Sequence, residues 1–401
     1  MKEADTIRLK KNIKKGTNQS NMRAHNEKLI LSLLRDHSGL AKIEIAKMTG
    51  LTAQTSSVIM RKLESEGLLL SGEPIRGNVG QPTIPMTLNP DGAFFFGLKV
   101  GRRTAQLVLV DVLGKVKHSV EVTYRYPTPD LITSFAVDST AKITNKLNKK
   151  TISRIDGFGI ALPFKLWNWL DEVDAPFNEM ISWKTTNIME AIQQKLPYKV
   201  YLQNDATAAC AAELAFGSIK NNQDCLYLNI STFIGGGIIL NNQLYTGSQN
   251  DAGSVGSMPI ARKNKETKQL IDIASLNCLE KKLKENGASS AWIWDSPNQW
   301  ASEGEEITEW IADAGEAIAH SILASCSVIN FEIVIIDGWL PQNILSQLIS
   351  IIENHLNELD SEGLRVPVVQ KGSLGVNAKS IGAASLPLSE RFLIGSVFGN
   401  H

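Results

Sequence analysis

The sequence predicts two domains: a small head of three helices and a β-hairpin, then a larger α/β body in two lobes. Three observations carry this expectation. Three short helical segments punctuated by glycine lie between residues 21 and 67. Two short extended segments then flank a Gly- and Pro-containing loop at 72–82. Beyond residue 92, strand-like and helix-like segments alternate through two similar cycles. The chain has 401 residues, and a single core rarely grows past about 250 to 300.

Residues 1–20 are polar and basic with little apolar periodicity, and read as a flexible basic tail. From Asn21 the pattern changes. Leu29, Ile30, Leu33 and Leu34 share one helical face, giving a first helix to about Asp36. A second helix fits Lys42 to Thr49, ended by Gly50 in a left-handed conformation. Thr52 can cap a third, whose Val58, Ile59 and Leu63 are expected to point inward before Gly67 stops it. The extended segments Leu68-Leu69-Leu70 and Thr83–Leu88 around the loop complete a winged helix-turn-helix over residues 21–90. Asn89-Pro90-Asp91-Gly92 is turn chemistry and a natural boundary.

The body, 91–401, opens with three strands, Phe94–Val100, Ala105–Asp111 and Val116–Thr123, as an antiparallel meander. A helix from about Leu131, a strand at 157–161, a helix before Pro197 and a strand at 199–202 finish the first lobe. The cycle restarts at Cys225, with strands at 225–230, 236–240 and 333–336 and helices near 269–285 and 302–328. Two lobes with a cleft between them are implied, although no repeat is visible residue by residue.

Charge divides along the same boundary. The totals cancel, yet residues 1–90 hold 14 Lys+Arg against 8 Asp+Glu, leaving a net −6 on the rest. A basic head on an acidic body is what a polyanion-binding head requires, although an ordinary solvated surface accounts for it equally well. Cys210, Cys225, Cys278 and Cys326 are far apart with no CxxC pair, so they read as small core residues. No stretch reaches the ~18 apolar residues of a membrane span, which points to a cytoplasmic protein without membrane contact.

In the third helix the early residues Gln54, Thr55, Ser56 and Ser57 stand where a recognition helix reaches base edges, and Arg61 and Lys62 follow where phosphates pass. In the wing, Arg76 and Gln81 are best placed to enter a minor groove. Double-stranded DNA is the expected partner, against the alternative of a module for protein contacts.

Taken together, GLTAQTSSVIMRKLESEGLL, GFGIALP, YLQNDATAACAAELAFG, FIGGGIIL and GSLGVNAKSIGAA resemble the ROK family of repressors, open reading frames and kinases. The resemblance implies a body with the hexokinase/actin-like (ribonuclease H-like) fold, binding a monosaccharide or sugar-phosphate effector and forming a homodimer or homotetramer. It carries Pro163, Asn204, Asp205, Ser254, Ser257 and Glu280 to the sugar site. Asp205 matches the general base of family kinases; a charged acceptor also binds sugar hydroxyls without proton transfer, and a bare helix cap is the alternative.

The same resemblance argues against phosphoryl transfer. Family kinases place an Asp-x-Gly-Gly-Thr loop after the first strand, where this chain has Lys99-Val100-Gly101-Arg102-Arg103. Lysine replaces the acid and two arginines replace small residues, while Thr232–Gly237 keeps only part of the second phosphate loop. No cofactor and no metal are expected: of the family's zinc cluster only Cys278 remains, and one thiolate cannot close a tetrahedral site. Ser254 and Ser257 replace the family's sugar-contacting Glu and His with short hydroxyls, pointing to a ketose, a pentose or a phosphorylated sugar. Trp167 and Trp169 are packing or sugar-stacking residues; Trp292, Trp294, Trp300 and Trp310 are expected in a surface excursion.

The reading is a sugar-responsive repressor rather than an enzyme. An ATP-dependent sugar kinase with a vestigial head is the alternative, and a ligand-free dimerisation scaffold is a third.

Overall fold

The computed structural model describes residues 19–75, 83–164, 166, 176–219, 223–261, 266–298, 300 and 304–393. Among them the chain divides into two compact units, one of residues 19–89 together with 391–393 and one of residues 90–390.

The head is built from α1 (Gln19–Asp36), β1 (Leu40–Ala41), α2 (Lys42–Thr49), α3 (Ala53–Ser65), β2 (Leu69–Ser71) and β3 (Pro85–Leu88). Helix α1 begins two residues before the expected Asn21. Gly50 ends α2 at φ 67°, a conformation that strains any residue with a Cβ. Thr52 Oγ1 accepts the Thr55 N–H at 3.1 Å and starts α3. Between them these two residues set the turn of the helix-turn-helix. Strands β2 and β3 pair antiparallel as the wing stem, and the two-residue β1, too short for any periodicity to reveal, pairs with the other edge of β3. Ile30, Leu34, Ile45, Met60, Leu63, Leu69 and Met86 are fully buried and form the head's core. Met60 takes the inward place expected for Val58, which is 52% exposed.

The body's first lobe comprises β4 (Phe94–Val100), β5 (Thr104–Asp111), β6 (Val116–Thr123), α4 (Pro129–Thr144), α5 (Lys149–Ile152), β7 (Ile155–Ala161), α6 (Phe177–Thr185), α7 (Ile188–Gln193) and β8 (Val200–Gln203). Its sheet runs β6-β5-β4-β7-β8, the first three strands antiparallel and β7 and β8 parallel to β4. Helix α8 (Asp205–Phe216) leads to the second lobe. This has β9 (Cys225–Ile230), β10 (Gly235–Leu240), β11 (Gln243–Tyr245), β12 (Pro259–Ala261), β13 (Thr267–Gln269), α9 (Ile271–Ala274), α10 (Leu276–Glu285), α11 (Trp292–Asp295), α12 (Glu305–Cys326), β14 (Ile333–Gly338), α13 (Gln342–Glu358), β15 (Val368–Lys371) and α14 (Ala378–Phe392).

Its main sheet runs β11-β10-β9-β14-β15 with the same mixture of directions. The two lobes therefore repeat one topology that the residues conceal. Parallel inner strands covered on both faces read as near-continuous apolar runs, as Ile333–Ile336 does.

Helices α8 and α14 meet through small residues: Ala161, Ala208 and Ala383 form one buried cluster. A Cβ on Gly382 would strike the Ala208 carbonyl, and one on Gly97 or Gly159 would strike the α14 backbone at Ser380 or Ala383. These glycines permit backbone-to-backbone approach rather than a turn.

The tryptophans from 292 onward are not a surface excursion. Trp300 and Trp310 are buried in the second lobe's core, with Trp292 and Trp294 packed against it. Among the described residues no helix is long and apolar enough to cross a membrane.

Candidate functional site

Two regions collect the predicted functional residues. On the head, α3 presents Gln54, Thr55 and Arg61 to solvent, with Ser57 half-buried. Positions 54, 58 and 61 follow i, i+4, i+7 spacing, so Val58 lies on the same outward face as Gln54 and Arg61. The sequence reading missed it, because an apolar β-branched residue inside a helix reads as core. Ser56 is the converse error. It is fully buried and its Oγ has no hydrogen-bond partner, so it cannot touch a base from this position. Lys62 is also committed: its Nζ donates to Glu27 Oε1 at 2.6 Å, tying α3 to α1. Arg76 and Gln81 lie outside the described residues.

In the body, β8 ends at Gln203 and the chain turns directly into α8. Asn204 caps this helix, its Oδ1 accepting the N–H groups of Ala206 at 3.0 Å and Thr207 at 3.3 Å. Asn204, rather than Asp205, performs the capping, which leaves the Asp205 carboxylate for another role. Its Oδ2 accepts from Lys379 Nζ at 2.5 Å, and the same ammonium donates to Ser231 Oγ at 2.8 Å. Both partners of this ion pair are largely covered, with side-chain exposures of 14% for Lys379 and 13% for Asp205. Asp205 is thus held as a charged acceptor already neutralised by a neighbour. Sequence reasoning passed over Lys379, although it stands within the GSLGVNAKSIGAA segment.

Lys99, at the end of β4, donates from Nζ to Thr104 Oγ1 at 2.9 Å. Burial, aided by the like charge of Lys379, lowers its pKa from 10.5 to about 8, against the opposing pull of Glu121 and Asp205. The next residues of that turn cross to the second lobe. Arg102 donates to Asn277 Oδ1 at 3.0 Å and Glu280 Oε2 at 3.3 Å, and Arg103 reaches Glu280 Oε1 at 3.5 Å. Lys284 and the Trp294 indole N–H complete the shell, at 2.7 and 3.1 Å. Burial pushes the Glu280 carboxyl up, but the Lys284 hydrogen bond and the charges of Arg102, Lys284 and Arg103 outweigh it and hold the group below its usual range.

Glu280 is therefore an inter-lobe anchor. Glu280, expected to contact sugar, has both oxygens engaged by this chain's own donors.

Pro163 is half-buried after β7, beside the more exposed Phe164; Lys165, Trp167 and Trp169 lie outside the described residues. Ser254 and Ser257 are exposed on the turn that packs against β10, and Ser254 Oγ donates to the Asp251 carbonyl at 2.6 Å. That packing is tight: a Cβ on Gly253, at φ 84°, would meet Gly237 Cα at 2.7 Å. Burial pushes the Cys278 thiol up to about 11, so it stays protonated. Among the described residues no three His, Cys, Asp or Glu side chains are grouped to hold a metal.

Fold and sites together define a winged helix-turn-helix joined to a two-lobed body of the sugar-kinase type. Residues 95–390 match the ROK family, and residues 23–69 match a winged helix-turn-helix DNA-binding domain. The chain belongs to the ROK family.

The xylose repressor of Bacillus subtilis is 26% identical over 238 residues, which is 59% of this chain and 60% of the repressor. In structure, a ROK family transcriptional regulator described as a homologue of the Escherichia coli MLC protein aligns with a TM-score of 0.66 at 16% identity, over 92% of this chain and 97% of its own. A ROK family glucokinase from Streptomyces griseus, solved with glucose and AMPPNP, aligns at 0.54 and 18% identity, over 73% of this chain and 99% of its own. These structural likenesses establish the fold.

Proposed function

We propose that this chain is a transcriptional repressor whose grip on a DNA operator is set by a sugar bound in the cleft of its body. The observation that carries the reading is the pairing of Asp205 with Lys379 beside a turn whose acid is replaced by Lys99. A catalytic base needs a free lone pair and a metal-bound nucleotide opposite it. Here the carboxylate is ion-paired and the turn carries cations where a metal-bound nucleotide calls for an acid, an arrangement suited to binding a sugar rather than to transferring phosphate. The similarity to a xylose repressor supports the same assignment.

On the head, Gln54 and Thr55 would read base edges, Val58 would lie against a thymine methyl, and Arg61 would meet phosphate. A homodimer or homotetramer would present two heads to half-sites about 34 Å apart. Sugar binding would then change operator affinity by about 1 to 3 kcal/mol.

The test has two arms. The full chain is used to select operators from random duplex DNA, and fluorescence anisotropy then follows the selected operator across hexoses, pentoses and their phosphates. A sugar-dependent change of at least about fivefold supports the proposal; operator affinity indifferent to every sugar overturns its sensing half. In the second arm, steady ADP release with any of these sugars would establish the kinase alternative instead. Asp205→Ala is expected to abolish the sugar response, and a retained response would remove the cleft from the account.

A further inference from the structure

The body is acidic overall, yet the long side chains gathered where its two lobes meet are mostly cations. Lys99 comes from β4, Lys379 from α14, Arg102 and Arg103 from the β4–β5 turn, and Lys284 from α10. The carboxylates in hydrogen-bond or ion-pair contact with them are Asp205 and Glu280. Hydrogen bonds link the two groups into one region: Lys379 holds Ser231, the Asn277 N–H donates to the Thr232 carbonyl at 3.1 Å, and Arg102 holds Asn277.

The two lysines differ in kind. Lys379 has its counter-ion in Asp205. Lys99 has a neutral hydroxyl, Thr104 Oγ1, as its hydrogen-bond acceptor. The other charges acting on it are Lys379, the exposed Glu121 of β6, and the Asp205 already taken by Lys379. Gly97, two residues before Lys99 on the same face of β4, meets the α14 backbone at Ser380, the residue after Lys379, so the two ammoniums come from adjoining elements. A covered ammonium with a like charge nearby is costly, and an anion received between the two offsets that cost.

We infer that the cleft recognises a sugar carrying an anionic substituent, phosphate or carboxylate, received jointly by Lys99 and Lys379. The anion draws Lys379 from Asp205, and the released carboxylate takes up a sugar hydroxyl. Charge and hydroxyl recognition are coupled in this scheme: a neutral sugar meets a carboxylate whose charge is already shared with Lys379, whereas an anionic one draws that lysine away and leaves both oxygens to the hydroxyls. This inference rests on the sugar-sensing reading above and narrows it to one chemical class.

Calorimetric titration of the full chain tests it with matched ligands: neutral hexoses and pentoses, their phosphate esters, the corresponding aldonates and uronates, and inorganic phosphate alone. The expected result is that an anionic sugar binds at least about tenfold more tightly than its neutral parent, the margin a charged hydrogen bond commands. The phosphate and carboxylate series show which anion the site takes. Its affinity should decline as pH rises through about 8, where Lys99 loses its proton. Lys99→Met should erase most of the preference; circular dichroism and the thermal midpoint check that this variant folds.

Equal binding of neutral and anionic partners by the wild type overturns this inference while leaving sugar sensing intact. Binding of inorganic phosphate as tight as the best sugar phosphate overturns the coupled recognition of hydroxyls. No binding by any sugar overturns both readings.

Discussion

The two lobes share one topology, and the turn after the first strand of each shows how differently equivalent positions are used. After β4 the turn is Gly101-Arg102-Arg103, and β5 then begins Thr104-Ala105-Gln106. After β9 the chain passes through Ser231–Ile234, and β10 begins Gly235-Gly236-Gly237. The first turn throws long cations across to Glu280; the second is pared down so that other elements can approach. Glycine in the second lobe is consequently explained without a nucleotide. A Cβ on Gly237 would meet Cys210 Cβ at 2.5 Å, and one on Gly236 would meet the Tyr227 and Gly253 carbonyls at 2.7 and 2.9 Å.

The largest expected effect exploits that contrast. Gly236→Ala forces a methyl against two backbone carbonyls and should cost roughly 3 kcal/mol or more. Gly101→Ala should cost under about 1 kcal/mol, since its new methyl meets the flexible Lys99 side chain at 3.2 Å and one carbonyl at 3.1 Å. Urea melts of the two variants rank them, and equal losses would break the comparison.

Next in size is the end of the fourth sheet strand. In the first lobe β7 closes on Ala161; in the second, β14 carries, one residue before its end, Asp337, which accepts from the Gly338 and Gly375 N–H groups at 2.8 and 3.1 Å and from Tyr227 at 3.3 Å. Burial raises the Asp337 carboxyl from 3.8 to about 6. Between those values the folded state binds the extra proton, so stability is highest at the acid end and falls as pH rises through about 6. The loss should approach about 3 kcal/mol by neutral pH. Chemical denaturation across pH 4 to 7 should show this slope in wild type and lack it in Asp337→Asn; parallel curves would contradict it.

Arg102→Met comes third. It leaves Glu280 with fewer partners and should cost about 2 kcal/mol, most of it recovered in the double variant with Glu280→Gln. Because Glu280 is held below its ordinary range, the stability it contributes is present above about pH 4.5 and lost on acidification below it. A double-mutant cycle with no coupling energy would show that the cations merely fill space.

Smallest is Ser56→Ala, which deletes a buried hydroxyl without a partner and should leave stability unchanged or raise it by up to about 1 kcal/mol. Operator affinity, read by anisotropy, should move less than twofold. A larger loss would return Ser56 to the DNA-reading face.

Much of the fold was legible because period and punctuation agree. Gly50, Thr52 and Gly67 mark the helix ends, and Phe94–Val100 and Cys225–Ile230 are strands over the expected residues. The errors concern direction and partnership. A helix of 13 residues permits several inward faces, and only packing against α1, α2 and β2 chooses Met60 over Val58. The sites were read less completely, since a motif names residues without naming what neutralises them. Lys379 is 174 positions from Asp205, and Glu280 is 178 from Arg102. No local pattern encodes those pairs.

Beyond the Asp205–Lys379 pair, the closest approach of α8 and α14 is made by alanine, glycine and bare backbone, and its history can be foreseen from that. Sequence drift elsewhere in the body has room to compensate, one side chain shrinking as another grows, but a carbonyl facing a Cα has nothing to give. Random mutagenesis should accordingly trace a narrow line of forbidden positions through Gly97, Gly159, Ala208 and Gly382. Variants lost along that line would be counted as loss of function by any genetic screen, although what each one breaks is the packing of backbone on backbone.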